Sequence, residues 1–247
     1  MESSTQDKYT LQNVTLYPWQ EECLKRWAGR GCRGIVGVAT GAGKTMLALA
    51  AVCRLAARLG TGALKVKIIV PKVFLAGQWR ADLMDFLGLT RDEIGLFYGE
   101  LKENSDKPFM IYVLNTARVC VARHIVEDVK SGASVLLICD ECHHFGSPEN
   151  ARVFDFLPHI PPERYFTLGL SATPRGERYE EVVVPALGRE FYQYDLSDTG
   201  RDRITADYTV FNIGVDFTPE EHEEYEEFSD KIFRLKMKLK KVCPSLK

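Results

Sequence analysis

The chain has 247 residues, of which 45% are hydrophobic and 27% are charged, and its 32 basic and 34 acidic side chains leave a net charge of −2. This composition is typical of a globular protein with a hydrophobic core, and the absence of repeats and biased segments excludes solenoid and low-complexity classes. The near-neutral charge leaves nucleic-acid binding open, because a local basic groove can lie within a neutral total.

The sequence predicts neither membrane insertion nor secretion. No apolar run approaches the roughly 20 residues that span a bilayer. Residues 1–8 are polar and do not lead into an apolar segment. The seven cysteines are odd in number and scattered, several of them within apolar stretches. We therefore expect a reducing cytoplasmic or nuclear setting, not a disulfide framework.

Along the chain, short and almost continuously apolar runs alternate with longer amphipathic ones. The predicted strands are Gly34–Val38, Val66–Val70, Met110–Leu114, Val135–Cys139 and Tyr165–Leu170. The predicted helices are Lys44–Leu59, Phe74–Phe86, Ala117–Lys130 and Ala151–Leu157. This alternation predicts an α/β fold of three layers, in which helices flank a mainly parallel sheet with right-handed crossovers.

The end of the chain has a different pattern. Tyr208–Phe217 is predicted to form one more strand, and Glu190–Phe217 to hold the last strand and the crossing that leaves the sheet. Pro219 fits the first turn of a long helix. That helix begins with acidic and ends with basic residues, which suits the helix dipole and favours a solvated helix over a basic tail that binds nucleic acid. We predict a domain at residues 1–217 and a charged helix at 218–247.

A glycine-rich loop follows the first predicted strand. Its glycines allow backbone N–H groups to face phosphate oxygens, Lys44 would contact the β- and γ-phosphates, and the Thr45 hydroxyl would hold Mg²⁺. The pattern departs from the general one at its first position, where Val38 replaces glycine. The residues predicted to bind ATP here are Thr40, Gly41, Ala42, Gly43, Lys44 and Thr45.

A pair of carboxylates follows the strand Val135–Cys139. In a P-loop ATPase, Asp140 would hold Mg²⁺ and Glu141 would orient and deprotonate the attacking water, so Lys44 and Glu141 are the predicted catalytic residues. An alternative is a zinc site, for which the candidate ligands are Cys139, Cys142, His143 and His144. A buried strand end is ordinary for Cys139, and no second ligand pair stands at a suitable distance, so the magnesium interpretation is favoured.

These two motifs, in this order, resemble the first RecA-like lobe of superfamily 2 helicases and translocases. The branch with type III restriction motor subunits and xeroderma pigmentosum group B-type DNA helicases is most similar, over Leu16–Pro174. Asp140–His143 resembles the D-E-x-H box, and Ser171–Pro174 resembles the S-A-T motif. The resemblance implies that His143, Ser171 and Thr173 connect the γ-phosphate site to the strand-binding surface and to a second lobe. His144 and His159 match no motif and are interpreted as structural or exposed.

Weaker matches extend the resemblance to residues that would contact adenine and the nucleic-acid backbone. Leu16–Gln20 is similar to a lead-in whose glutamine contacts adenine, which implies this role for Gln20; a surface glutamine at the start of a helix is the alternative. Val70–Lys72, with Leu75, Gln78 and Trp79, resembles a motif that contacts the nucleic-acid backbone, and Tyr98–Gly99 is a weaker match. The implied nucleic-acid contacts are Pro71, Lys72, Gln78 and Thr116, against the alternative of ordinary loop polarity.

The resemblance implies a nucleic-acid-dependent ATPase lobe that uses ATP and Mg²⁺, with DNA favoured over RNA. Such motors need a second RecA-like lobe, whose arginine can be worth about 10³–10⁵ in rate. We therefore expect this lobe to belong to a longer chain and to hydrolyse ATP weakly alone. The alternative is an ATP-binding regulatory or scaffold module without motor activity, which has no need for Glu141. A P-loop kinase is disfavoured, because the sequence shows no acceptor pocket or lid.

Overall fold

The computed structural model describes residues 9–205, 211 and 213–242. Eight strands form one sheet in the order β4-β3-β5-β2-β6-β7-β1-β8, with every neighbouring pair parallel except β3 and β4. The strands are β1 Ile35–Val38, β2 Leu64–Val70, β3 Ile94–Tyr98, β4 Leu101–Lys102, β5 Phe109–Val113, β6 Ser134–Asp140, β7 Tyr165–Ser171 and β8 Glu190–Tyr194. The predicted α/β fold with a mainly parallel sheet is confirmed.

Helices cover both faces of this sheet. Within residues 1–206 they are α1 Pro18–Gly29, α2 Lys44–Leu59, α3 Val73–Leu87, α4 Leu114–Lys130, α5 Val184–Leu187 and α6 Leu196–Arg201. One further helix, α7 Pro219–Val242, belongs to a separate unit of the chain. Successive strand residues point to opposite faces, so the sheet contributes to two cores. One core packs Trp27 of α1, Leu47 of α2 and Leu83 of α3 against the sheet, and the other packs Val121 of α4 and Phe145. The result is a three-layer domain.

The five strands predicted between Gly34 and Leu170 and three of the four helices are confirmed with shifts of up to three residues at their ends, whereas the helix predicted at Ala151–Leu157 is wrong. That segment forms two short 3₁₀ turns, Asn150–Phe154 and Leu157–His159. Pro158 cannot donate the backbone hydrogen bond that a continuing α-helix needs. The apolar spacing of the segment arises instead because Val153 and Phe156 are buried in the core beside α4.

The strand predicted at Tyr208–Phe217 lies partly outside the described residues, and the described part corrects it. Residues 211 and 213–217 adopt no strand. Phe211, Ile213 and Val215 are each about four-fifths exposed or more. A strand needs a neighbouring strand to satisfy its backbone groups, and alternating apolar residues alone do not supply one.

Residues 207–247 cluster as a unit separate from residues 1–206. The helix predicted after Thr218 begins at Pro219, as expected. Thr218 and Glu221 form a capping box, in which each side chain accepts a hydrogen bond from the other's backbone N–H. The helix exposes apolar side chains three and four residues apart, at Tyr225, Phe228, Ile232, Leu235 and Leu239. The domain boundary at 217/218 stays a prediction.

No helix in the described part of the chain combines the length and the apolar character needed to cross a bilayer. The cysteines at positions 23, 32, 53, 120, 139 and 142 all carry free thiols. The intracellular location stays a prediction.

A buried ion pair joins the middle of the sheet to α4. Lys67 of β2 is completely buried, and its Nζ lies 2.6 Å from Oδ2 of Asp128 and 3.2 Å from the carbonyl oxygen of Ser105. Burial lowers the pKa of Lys67, and the charge of Asp128 opposes that shift.

Removing one partner of this pair should destabilise the domain, because the remaining charge would be buried without compensation. We expect Asp128→Leu to lower the free energy of unfolding by about 3–5 kcal/mol, and the double variant Lys67→Met/Asp128→Leu to recover most of that loss. Urea denaturation followed by circular dichroism measures both. A double variant that is as unstable as the single one would show that the cost comes from packing and not from the unpaired charge.

Candidate nucleotide site and nucleic-acid edge

The sheet topology brings three sequence motifs to one edge. β6, β7 and β1 are adjacent and parallel, so their carboxyl ends lie side by side. The glycine-rich loop follows β1, Asp140 and Glu141 stand at the end of β6, and Ser171–Thr173 stand at the end of β7. The carboxyl edge of an open α/β sheet is the usual place for ligands, and here it collects the predicted nucleotide-binding, metal-binding and coupling residues.

The glycine-rich loop has the backbone form of a phosphate-binding loop. Gly41 and Gly43 have φ angles of +83° and +97°, a backbone conformation that residues other than glycine rarely adopt. Helix α2 begins directly after Gly43, so its N-terminal N–H groups and dipole face the loop. Lys44 Nζ donates to the carbonyl oxygen of Val38 at 3.2 Å. The loop therefore closes on its lysine at Val38, the position where the general motif has glycine.

Gln20 of α1 hydrogen-bonds to the end of this loop. Its side chain is 1% exposed, its Nε2 donates to the carbonyl oxygen of Gly43 at 2.9 Å, and its Oε1 accepts from the N–H of Tyr17 at 2.8 Å. A Cβ on Gly43 would lie 2.8 Å from Gln20 Nε2. Gln20 therefore ties α1 to the phosphate loop, and its contact with adenine stays a prediction.

Asp140 lies in a largely buried environment with two donors. Its Oδ2 accepts from the indole N–H of Trp79 at 3.1 Å, and its Oδ1 accepts from the N–H of Glu141 at 3.1 Å. Burial raises the pKa of the Asp140 carboxyl, the Trp79 hydrogen bond opposes this, and the charge of Glu141 adds to it. A divalent cation beside this carboxylate would offset the cost of keeping it charged.

Glu141 is held in a strained position that faces the loop. Its φ and ψ angles are 49° and 53°, a left-handed conformation that costs a non-glycine residue on the order of 1–3 kcal/mol. Its Oε1 lies 3.7 Å from Lys44 Nζ, and its Oε2 accepts from the Ser171 hydroxyl at 3.4 Å. Strain of this kind concentrates at functional sites, and here it directs a carboxylate between the phosphate loop and the end of β7.

Ser171 connects the predicted coupling residues. Its Oγ lies 2.9 Å from His143 Nδ1 and accepts from the N–H of Thr173 at 3.1 Å. Partial burial lowers the pKa of His143, and the neighbouring His144 adds to this effect. A neutral His143 beside Glu141 and Ser171 forms a hydrogen-bonded chain that runs from the carboxylate to the end of β7.

The glycine-rich loop, Asp140 and Glu141 line a cleft of about 440 Å³. Thr45 supplies a hydroxyl and Asp140 a carboxylate, both oxygen donors of the kind that Mg²⁺ prefers. Magnesium in such sites takes one or two protein ligands and completes its shell with phosphate and water, so the donor set fits. Gln78 and Asp82 of α3 line the same cleft, which places Gln78 at the candidate nucleotide site; its nucleic-acid contact stays a prediction.

The remaining predicted nucleic-acid residues occupy the other half of the same edge. β3, β5 and β2 are adjacent and parallel. Pro71 and the exposed Lys72 follow β2, and Thr116 follows β5. The N–H of Gly99, after β3, donates to Thr116 Oγ1 at 3.4 Å. The structure thus brings these residues to neighbouring strand ends, where α3 and α4 also begin.

The alternative zinc ligands do not converge in the structure. Cys139 and Cys142 are completely buried, and burial raises the pKa of both thiols. A zinc-binding cysteine needs the opposite shift, because the thiolate is the ligand. Within the described residues, no group of three or more His, Cys, Asp or Glu side chains is placed to hold a metal.

One side chain beside the cleft was given no role of its own from the sequence. Trp79 lies in the stretch that resembles a motif contacting nucleic acid, and the structure buries it against Asp140. An apolar helix face does not reveal where an indole N–H points, so the sequence carries no signal for this contact. The fold and the cleft together define a RecA-like P-loop domain.

Among RecA-like P-loop domains, this chain is similar to one family of restriction-enzyme subunits and to DNA helicases. The family model described as "Type III restriction enzyme, res subunit" matches residues 13–176. The DNA 3'-5' helicase XPB of Kineococcus radiotolerans is 31% identical over 186 residues, which are 74% of this chain and 30% of the relative. The DNA 3'-5' helicase XPB of Mycobacterium tuberculosis is 30% identical over 200 residues, which are 81% of this chain and 34% of the relative.

A solved structure shows the same fold. The UvsW helicase of bacteriophage T4 superposes with a TM-score of 0.57 at 19% identity, over 76% of this chain and 64% of that chain. This chain belongs to the family of type III restriction enzyme res subunits, and it is the first RecA-like lobe of a superfamily 2 helicase in the branch that includes the XPB proteins. It spans from about 26% to 44% of the length of the curated relatives it matches.

Proposed function

We propose that the cleft binds Mg²⁺-ATP and hydrolyses its terminal phosphate, and that the lobe uses this cycle to grip and release DNA. The observation that supports this most directly is the 3.7 Å distance between Lys44 Nζ and Glu141 Oε1. It brings the ends of β1 and β6 within the span of one triphosphate. The DNA helicases among the relatives favour DNA over RNA as the strand that is bound.

In this proposal each side chain has a separate task. Backbone N–H groups of the loop and Lys44 bind the phosphates, as in other P-loop sites. Thr45 and Asp140 hold Mg²⁺, which when bound neutralises charge on the phosphates. Glu141 orients the attacking water and accepts its proton. Lys44 must exchange its contact with Glu141 for phosphate oxygens, which frees that carboxylate for the water.

In the proposal, two groups of residues couple the ATP site to DNA. His143, Ser171 and Thr173 join Glu141 to the end of β7 through contacts of 2.9–3.4 Å. The starts of α3 and α4, beside Lys72 and Thr116, offer backbone N–H groups that bind phosphates without sequence preference. Neither helix start receives a side-chain hydrogen bond from its own N-cap residue, Lys72 or Val113. Binding at this edge would therefore be electrostatic and weakened by salt.

We further propose that the working motor includes a second RecA-like lobe in the same longer chain. Two observations support this: the chain covers 34% of the length of one such relative, and α7 exposes apolar side chains along one stripe. The chain alone should then bind ATP yet hydrolyse it slowly, since it lacks an arginine from a second lobe. A steady-state ATPase assay tests this. Robust DNA-stimulated turnover by the monomeric chain would contradict the need for a second lobe.

The second candidate function is an ATP-binding regulatory or scaffold module that does not move along DNA. The geometry disfavours it, because Glu141 is held in strain beside Lys44, a cost that nucleotide binding alone does not require. Fluorescence anisotropy with duplex DNA, with and without Mg²⁺-ATP, separates the two. A DNA affinity that changes with nucleotide supports the motor, and no DNA binding in either state supports the scaffold.

The contacts of Gln20 lead to a prediction on nucleotide preference. Because its amide holds the phosphate loop, we expect Gln20→Ala to weaken the binding of ATP and GTP by the same factor, about 3- to 10-fold for lost hydrogen bonds. Titration with fluorescent analogues of both nucleotides measures this. A loss confined to ATP would instead assign Gln20 to the adenine contact that the resemblance implies.

A further inference from the structure

The buried indole of Trp79 donates a hydrogen bond to a carboxylate of the proposed nucleotide site. Trp79 belongs to α3 and is 3% exposed, and its Nε1–H donates to Asp140 Oδ2 at 3.1 Å. The other oxygen of Asp140 accepts from the N–H of Glu141 at 3.1 Å. Both oxygens of this carboxylate are thus oriented by one donor each, and only the donor from Trp79 comes from a separate element of the fold.

The other two tryptophans of the chain make different contacts. The indole N–H of Trp27 donates to the carbonyl oxygen of Thr167 at 2.8 Å, within the middle of the sheet. The indole N–H of Trp19 is buried without a hydrogen-bond partner among the described residues. Neither places its donor on a side chain of the cleft, so the contact of Trp79 is particular to its position.

Helix α3 connects this contact to the DNA edge. It begins at Val73, immediately after Pro71 and Lys72, and on the following turns Leu75, Gln78 and Asp82 line the nucleotide cleft. Trp79 is buried beside this face. A rotation or shift of α3 that follows contact at its N-terminus would change the hydrogen bond to Asp140 directly, because one rigid helix carries both ends.

We propose that Trp79 is a positioning residue that fixes the Asp140 carboxylate for Mg²⁺ and joins it to α3. This inference rests on the proposed Mg²⁺-ATP site. Partners that orient a metal ligand from outside the coordination shell commonly affect metal affinity by about 10- to 100-fold. Trp79 donates a single hydrogen bond and the phosphates also hold the metal, so the lower end of that range applies.

The test compares Trp79→Phe with the matched variant Trp27→Phe. Both exchanges keep a buried aromatic ring and remove one indole hydrogen bond, and only the first removes it from Asp140. Mg²⁺ is titrated into the chain at a fixed concentration of a fluorescent ATP analogue. For Trp79→Phe we expect the Mg²⁺ concentration at half-maximal tight binding to rise about 10-fold, with the affinity for Mg²⁺-free ATP unchanged. For Trp27→Phe we expect no change in either quantity.

A structural role alone would affect both variants alike. Thermal melting of each measures the stability loss that the two are expected to share. An unchanged Mg²⁺ requirement in Trp79→Phe would overturn the proposal while the wild-type chain still binds Mg²⁺-ATP. If the wild-type chain shows no Mg²⁺-dependent ATP binding, the proposed function itself fails. The two failures are therefore distinguishable.

A double-mutant cycle and a spectrum of the folded wild-type chain support the same test. Asp140→Asn should abolish the effect of Trp79→Phe on the Mg²⁺ requirement, because the contact has lost its charged acceptor. Should Trp79→Phe not fold, the three indole N–H signals of the ¹⁵N-labelled wild type still answer the question. Adding Mg²⁺ to the ATP-bound chain should shift the signal that Asp140→Asn also shifts, and leave that of Trp27 in place. A set of three unchanged signals would overturn the proposal.

Discussion

Glu141→Gln is expected to lower the rate of ATP hydrolysis by about 10²–10⁴-fold, the size of a lost general base. The amide keeps the shape of the side chain and cannot accept a proton from the attacking water. The affinity for Mg²⁺-ATP should be equal to or higher than that of the wild type, since Lys44 no longer pairs with a carboxylate at 3.7 Å. Single-turnover hydrolysis of γ-labelled ATP, with the chain in excess, is sensitive enough for a slow lobe.

Glu149→Gln is the matched control for this variant. Glu149 is exposed and follows the same motif by a few residues, so the same exchange of carboxylate for amide should leave the rate unchanged. Hydrolysis that persists at the wild-type rate in Glu141→Gln would remove Glu141 from the role of base. A parallel loss of rate and ATP affinity would indicate damage to the loop of residues 141–147 instead of lost chemistry.

Lys44→Ala should weaken the binding of Mg²⁺-ATP by about 100-fold or more. Lys44 is the cation at the start of α2, and hydrogen bonds to charged phosphate oxygens contribute about 1.5–3 kcal/mol each. Isothermal titration calorimetry measures the affinity. The control is Lys130→Ala, at the exposed end of α4, which should bind ATP as the wild type does. An affinity within threefold of the wild type in Lys44→Ala would contradict the assignment of this loop to the triphosphate.

Much of this fold follows from local pattern. The strands before the glycine-rich loop and before Asp140 are apolar on both faces, and Gly41 and Gly43 adopt positive φ angles that few other residue types tolerate. Parallel strands collect their carboxyl ends at one edge. Lys44 and Glu141 could therefore be expected to converge from sequence alone, although 97 positions separate their numbers in the chain.

Other features depend on contacts that pattern does not encode. The sequence shows a glutamine at position 20 and a tryptophan at 79, and only the packed structure shows that they support the phosphate loop and Asp140. The helix expected at Ala151–Leu157 is replaced by 3₁₀ turns, because burial of Val153 and Phe156 produces a helix-like spacing without a helix. The short edge strand β4 has too few residues to show any periodicity.

The most direct test of the proposal is a crystal structure of this chain with Mg²⁺ and a non-hydrolysable ATP analogue. We predict that Lys44 Nζ lies within hydrogen-bonding distance of a γ-phosphate oxygen, that Thr45 and Asp140 contact the metal directly or through one water, and that Glu141 faces the terminal phosphate. A triphosphate bound elsewhere, or one that reaches Lys44 while Asp140 and Glu141 lie too far away to contact its metal or its terminal phosphate, would contradict a single shared nucleotide site.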